Sequence, residues 1–181
     1  MDLAEDVKLQ GSGVIGYFQA LTGVLSRPGA FFSSLEEDIP MGKPLGFLIA
    51  CALFYTGASL TCLSHGHAIM AGVYLLNSLL MPILSAGACF LVMTMFLGRR
   101  VTFKTLVAVH AYAAGVTMLA AWIPLFVWFT EPWKWCLITL GMVKAGKLTW
   151  LQSILVALAS IFLISMFFWS MMPVIAGIKG A

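Results

Sequence analysis

Residues 68–97 read AIMAGVYLLNSLLMPILSAGACFLVMTMFL, thirty positions without one Asp, Glu, Lys or Arg. A helix rises about 1.5 Å per residue, so this stretch is roughly 45 Å long when helical. The hydrocarbon core of a bilayer is ~30 Å thick and needs about 20 apolar residues to cross. The segment is long enough to span and must tilt, project or bend, with Pro82 the expected site of a bend. Charge-free runs recur on either side of it, at 44–63, 105–130 and 148–178. Of 181 residues, 61% are hydrophobic and only 9% charged, whereas soluble domains carry about 25% charged residues. The runs also lack the polar stripe at a 3.6-residue period that a soluble helix needs. The chain therefore reads as an all-α protein, a polytopic transmembrane helical bundle of about five spans. These are expected at about 44–63, 68–97, 105–129, 132–146 and 150–177, after an N-terminal head over 1–43.

Within the head, Val14, Phe18, Leu21 and Leu25 recur at helical spacing, with Gln10, Ser12, Gln19 and Thr22 opposed to them. This predicts an interfacial amphipathic helix. Gly11, Gly13, Gly16 and Gly23 lower its intrinsic helicity, so contact with a membrane or partner must hold it. Arg27-Pro28-Gly29 breaks the chain, and Phe31-Phe32 beside Arg27 suits the headgroup boundary. The opening MDLAEDVKLQ is acidic and leads into no short apolar core with a cleavage site, so no signal peptide is expected. Residue 2 is Asp, which excludes myristoylation.

The loops set the orientation. With five spans and a cytoplasmic N-terminus, Lys8, Arg27, Lys43, Arg99, Arg100, Lys104, Lys144 and Lys147 face the cytoplasm, and only Lys134 and Lys179 face away. Four spans give a poorer division of seven to three, so the positive-inside rule favours five. Both topologies put the N-terminus in the cytoplasm. Trp122, Trp128, Trp133 and Trp135 form an aromatic belt, and the short apolar segment from Trp133 to Val143 reads either as a fourth span or as a helix in the headgroup plane.

Chemistry-bearing groups are few. Cys62, His65 and His67 offer thiolate and imidazole ligands for copper or zinc, but three ligands in six residues without a fourth read as a polar hairpin turn. Cys51, Cys62, Cys89 and Cys136 lie in or beside apolar runs, where they act as small hydrophobes and no disulfide framework is expected. His110 is the one ionisable group well inside an expected span, and an intramembrane ionisable side chain calls for a hydrogen bond or a functional role. Asn77, Pro82, His110 and Tyr112 mark a polar seam between the second and third spans, with Ser78, Ser85 and Gly87 near it. Ala111 and Gly115 form a small-xxx-small pair that permits close helix approach. The expected spans hold no Asp or Glu, which weighs against a coupled transporter. No nucleophile elbow, Walker loop, zincin helix or dinucleotide fingerprint occurs, so neither catalysis nor a cofactor is expected. The net charge of +3 is dispersed among loops and does not form a nucleic-acid surface.

Several of these landmarks resemble one family. Arg27-Pro28-Gly29-Ala30-Phe31-Phe32, then Lys43-Pro44-Leu45 before the first span, Gly98-Arg99-Arg100-Val101-Thr102-Phe103-Lys104 leading to Ala111-Tyr112, and Gly141-Met142-Val143 before Gly146-Lys147-Leu148-Thr149 are similar to the Yip domain proteins. These are Ypt/Rab-interacting membrane proteins, and the chain resembles their prokaryotic branch over about residues 20–177. The resemblance implies five helical spans, a cytoplasmic N-terminus and no known catalytic centre, and it supplies no ligand residues. The vesicle-trafficking role of the eukaryotic members does not transfer, because the short head lacks an evident partner-binding domain. The expectation is a non-enzymatic, multi-pass protein of a prokaryotic inner membrane that organises membrane lipids or a membrane complex. Its expected partners are lipids, other membrane proteins or further copies of itself. A small permease, channel or lipid scramblase using the seam is the alternative, and a metal-handling protein a further one.

Overall fold

The computed structural model describes residues 14–35, 39–61, 68–123 and 125–179, which hold seven α-helices and no strand. These are α1 (Val14–Ser26), α2 (Pro28–Ser33), α3 (Gly42–Thr61), α4 (Ala68–Leu97), α5 (Phe103–Ala121), α6 (Val127–Lys144) and α7 (Trp150–Lys179). Among them α3, α4, α5 and the stretch of α7 from Trp150 to Ser170 are long and apolar enough to cross a membrane. Local signals fix the junctions. Gly98 takes φ +77° directly after α4, a left-handed conformation that suits a residue without Cβ. Thr102 caps α5, its Oγ1 accepting the Thr105 N–H at 3.3 Å.

The helix α5 is the axis of the bundle. Every residue from Thr105 to Thr117 is buried, and the helix packs on α3, α4, α6 and α1. Its interior is small: Ala108, Ala111, Ala113, Ala114 and Gly115 let neighbouring backbones come close. A Cβ on Gly115 would lie 2.6 Å from Phe47 Cε1 on α3, and one on Gly141 of α6 would fall against the Val109 side chain. The small-residue pair at Ala111 and Gly115 thus meets α3 directly. Gly87, by contrast, has nothing within 4 Å of where a Cβ would sit, so no neighbour requires it to be glycine. The outside of the bundle is apolar, with Leu53, Leu84, Phe162 and Phe167 exposed. A bundle with small residues inside and large apolar residues outside suits a lipid surround.

Two expectations change. The helix expected over 105–129 stops at Ala121, and the next begins at Val127, five residues before 132. Leu125 sits between them at φ +69°, a left-handed residue that turns the chain. Pro124 lies outside the described residues. α6 runs antiparallel beside α5, since Gly141 meets Val109 near one end and Thr130 shares a cavity with Thr117 near the other. At 18 residues it is roughly 27 Å long. Starting at Val127, it also takes in Glu131, a carboxylate that the 132–146 segment had left in a loop.

The second change concerns the head. Phe31 and Phe32 are fully buried in the core instead of resting at a headgroup boundary. Phe18 and Leu25 of α1 point outward, while Ala20, Val24 and Tyr17 face the bundle. The helix thus has one face on protein, an adjoining apolar face exposed, and Gln19, Thr22 and Ser26 on a polar edge.

Candidate functional site

Two clusters occupy opposite sides of α5. On the head side, six aromatic rings form an unbroken chain. Phe18 meets Tyr17 at 5.5 Å, Tyr17 meets Phe47 at 5.0 Å and Phe47 meets Tyr112 at 5.2 Å. Tyr112 then meets Phe31 at 5.0 Å, edge-on, and Phe31 meets Phe32 at 5.5 Å. These separations fall in the favoured range for aromatic pairs. The chain links α1, α3, α5 and α2, and the Tyr17 hydroxyl lies 3.3 Å from Cys51 Sγ on α3. Burial, and secondarily the contact with Cys51, pushes the Tyr17 phenol well above its ordinary value of 10.0.

On the other side a cavity of about 340 Å³ opens between α4, α5, α6 and α7, with Tyr55 of α3 at its edge. Three of the four expected seam residues, Asn77, Pro82 and His110, line it. Tyr112 does not. It lies two positions from His110, about 200° round the helix, and belongs to the aromatic chain on the other side of α5. The cavity gains from α6 a group that sequence reading had not joined to it: Thr130, Glu131, Lys134 and Trp135. Lys134 Nζ lies 2.7 Å from the Glu131 carboxylate one turn away, and the side chains are 25% and 51% exposed respectively. Their i, i+3 spacing was legible, but the helix that brings them to the cavity was not.

The inner wall is rich in acceptors. His110 is 1% exposed, and its Nδ1 lies 2.8 Å from the Leu106 carbonyl. A carbonyl only accepts, so Nδ1 carries the proton and Nε2 is left as an acceptor, with no partner among the described residues. Ser78 donates its hydroxyl proton to the Leu75 carbonyl at 2.9 Å, and Thr117 donates to the Ala114 carbonyl at 3.0 Å. Both hydroxyl oxygens keep lone pairs and no proton to offer. Pro82 has no N–H, so the Ser78 carbonyl also loses its usual intrahelical donor.

The expected soft-metal ligands Cys62, His65 and His67 lie outside the described residues. Among those described, no group of three His, Cys, Asp or Glu side chains comes together. Cys51 and Cys89 are buried free thiols, and Cys136 is an exposed one.

No curated protein and no solved structure is significantly similar to the chain. The sequence profile of the Yip1 domain, however, matches residues 22–172, which takes in the end of α1, all of α2 to α6 and most of α7. The chain, an integral membrane protein with several apolar helices around a buried small-residue axis, therefore belongs to the Yip1 domain family.

Proposed function

We propose that this protein is a non-enzymatic organiser of membrane lipids or of a membrane assembly, placed in a prokaryotic inner membrane with its N-terminus in the cytoplasm. In this reading α6 is a fifth crossing, and the surrounding lipids, neighbouring membrane proteins or further copies are its partners. The observation that carries it is the chain of six rings from Phe18 to Phe32, which ties the head to the bundle core. A head held this way keeps Ile15, Phe18 and Leu25 outward as a fixed apolar ledge beside the polar edge of α1. Such a ledge acts on the lipid boundary and needs no reacting group. Purification from native membranes, followed by mass spectrometry of the retained lipids and proteins, tests the reading. A reproducible lipid or protein companion is expected. A companion-free protein whose deletion leaves the membrane unchanged would sink it.

One observation favours a second reading, a small permease or lipid scramblase: Asn77, Pro82 and His110 share a cavity that Glu131 and Lys134 also line. Against it stands the head-end half of α5, filled by Tyr112, Phe31, Phe47 and the fully buried Ala108 and Ala113. Flux and scrambling measurements on the purified protein in liposomes separate the two readings. Activity that rises with protein density would replace the first by the second.

A further inference from the structure

The polar cavity does not end at its own walls. A second, almost purely apolar groove of about 430 Å³ runs between α6 and α7, along Leu137, Leu140, Ile154 and Leu158. Trp135 and Ile161 line both the groove and the cavity. An acceptor-rich chamber with an ion pair among its lining thus adjoins an apolar channel through a shared wall. Water has no need of the channel, and a free ion has no need of it either. An amphiphile needs both.

The donor and acceptor inventory narrows the headgroup. One face of the wall offers His110 Nε2, the Ser78 carbonyl, and the Ser78 and Thr117 hydroxyl oxygens, acceptors whose own protons are absent or already used, while the Asn77 amide and the Tyr55 hydroxyl elsewhere in the lining can also donate. A group that meets these acceptors must donate, and a primary ammonium donates three times and accepts nothing. A quaternary ammonium cannot donate at all. Tyr55 and Trp135, also in the lining, add ring faces suited to a cation. Lys134 supplies the one cationic head suited to a phosphate, and its pair with Glu131 is an exposed i, i+3 contact of the kind worth at most about 1 kcal/mol. Lys134 can therefore turn from Glu131 to a phosphate at little cost. The volume equals roughly ten waters at about 30 Å³ each, enough for a headgroup and far more than a single ion needs.

We propose that the cavity and groove form one site for a phospholipid whose headgroup joins a primary ammonium to a phosphate, as an ethanolamine phospholipid does. His110, Ser78 and Thr117 receive the ammonium, Lys134 the phosphate, and the groove between α6 and α7 one acyl chain. The proposal rests on the lipid-organising reading above and names the lipid.

The test uses the full chain, reconstituted with equal amounts of ethanolamine and choline phospholipids of identical acyl chains, and reads the retained lipid by native mass spectrometry. Ethanolamine lipid should be retained over choline lipid by roughly tenfold, the factor supplied by one charge-assisted hydrogen bond. His110→Phe should lower that ratio several-fold while total retained lipid changes little. Lys134 faces the phosphate common to both lipids, so Lys134→Gln should lower retention of both several-fold at an unchanged ratio; unchanged retention in Lys134→Gln overturns the phosphate assignment. Lys134→Gln alters only a partly exposed pair, so it reads the site even where His110→Phe fails to fold. A ratio near one with lipid still retained overturns the headgroup site and leaves the general lipid role intact. Loss of all retained lipid overturns both. Displacement of the lipid by free O-phosphoethanolamine at equal concentration overturns the groove's part and assigns the cavity to a soluble phosphoamine.

Discussion

Adding one methyl group at Gly115 is the sharpest probe of how α5 is held. An alanine Cβ there would sit 2.6 Å from Phe47 Cε1, 2.9 Å from Phe47 Cδ1 and 3.2 Å from Cys51 Sγ. Comfortable carbon contacts lie at about 3.5–4.0 Å, so the ring is roughly 1 Å too close. Phe47 cannot swing aside, because it is buried between Tyr17 at 5.0 Å and Tyr112 at 5.2 Å. α3 must shift outward instead. Overpacking of this kind costs about 1–3 kcal/mol. The usual helix-propensity gain of about 1 kcal/mol from Gly to Ala is small here, since helices persist in the membrane-embedded unfolded state. Gly115→Ala should therefore destabilise by about 2 kcal/mol, measured as a shift in reversible detergent unfolding. In a Phe47→Leu background the same change should cost less than about 1 kcal/mol, a coupling that a double-mutant cycle isolates. Gly87→Ala, with open space around it, should stay within about 0.5 kcal/mol of wild type. A neutral Gly115→Ala, or an equal cost in both backgrounds, would refute the close α3–α5 approach.

Three further perturbations follow from local geometry. Gly98→Ala has room for its methyl group but must hold φ +77°, so it should cost about 1 kcal/mol through strain alone in the same unfolding measurement, and Gly98→Asn clearly less. Thr102→Ala removes the cap on Thr105 N–H and should cost about 1 kcal/mol, with Thr102→Ser nearly silent. Tyr17 has its phenol raised in the folded protein, so its contribution is intact below about pH 10 and is lost as pH climbs beyond that value. Unfolding stability followed from about pH 9 to about pH 11 should fall more steeply for wild type than for Tyr17→Phe, and parallel curves would remove Tyr17 from the account.

The apolar helices were legible because their cause is local: a charge-free run of sufficient length specifies a crossing helix without reference to any partner. The close approach at Ala111 and Gly115 was legible for a similar reason, since small residues four apart signal it on any helix. Phe31 and Phe32 were read by a local preference as well, as aromatics beside an arginine. Their destination depends on Tyr112, about eighty positions away, which offers them a ring at the buried side of α5. Nothing in the sequence near Phe31 announces that partner. The same holds for the seam. Asn77, Pro82 and His110 were visible as isolated polar or helix-breaking residues in apolar runs, but their assignment with Tyr112 ignored the turn of α5. Positions 110 and 112 point to opposite sides of one helix, so a single seam could not contain both.

The start of α6 is where a small shift matters most for function. A proline is a natural first residue of a helix, where its missing N–H costs nothing, and a helix begun at Pro132 leaves Glu131 outside. Here Pro132 is instead the sixth residue of α6, and it forfeits the bond to the Trp128 carbonyl. The extra turn adds Thr130 and Glu131 to the helix that carries Lys134, and all three line the cavity with His110. A seam with one neutral imidazole could only be a weak polar stripe between helices. With a carboxylate and an ammonium among its lining and an apolar groove beyond Trp135, the same seam has the layout of an amphiphile site. The cavity stays apart from the ring chain, because His110 and Tyr112 divide the two sides of α5 between them, while the groove reaches Pro28 at the start of α2. The ring chain and the cavity are consequently separate devices on one rigid axis, and substitutions at the cavity mouth should leave the docking of α1 and α2 unchanged.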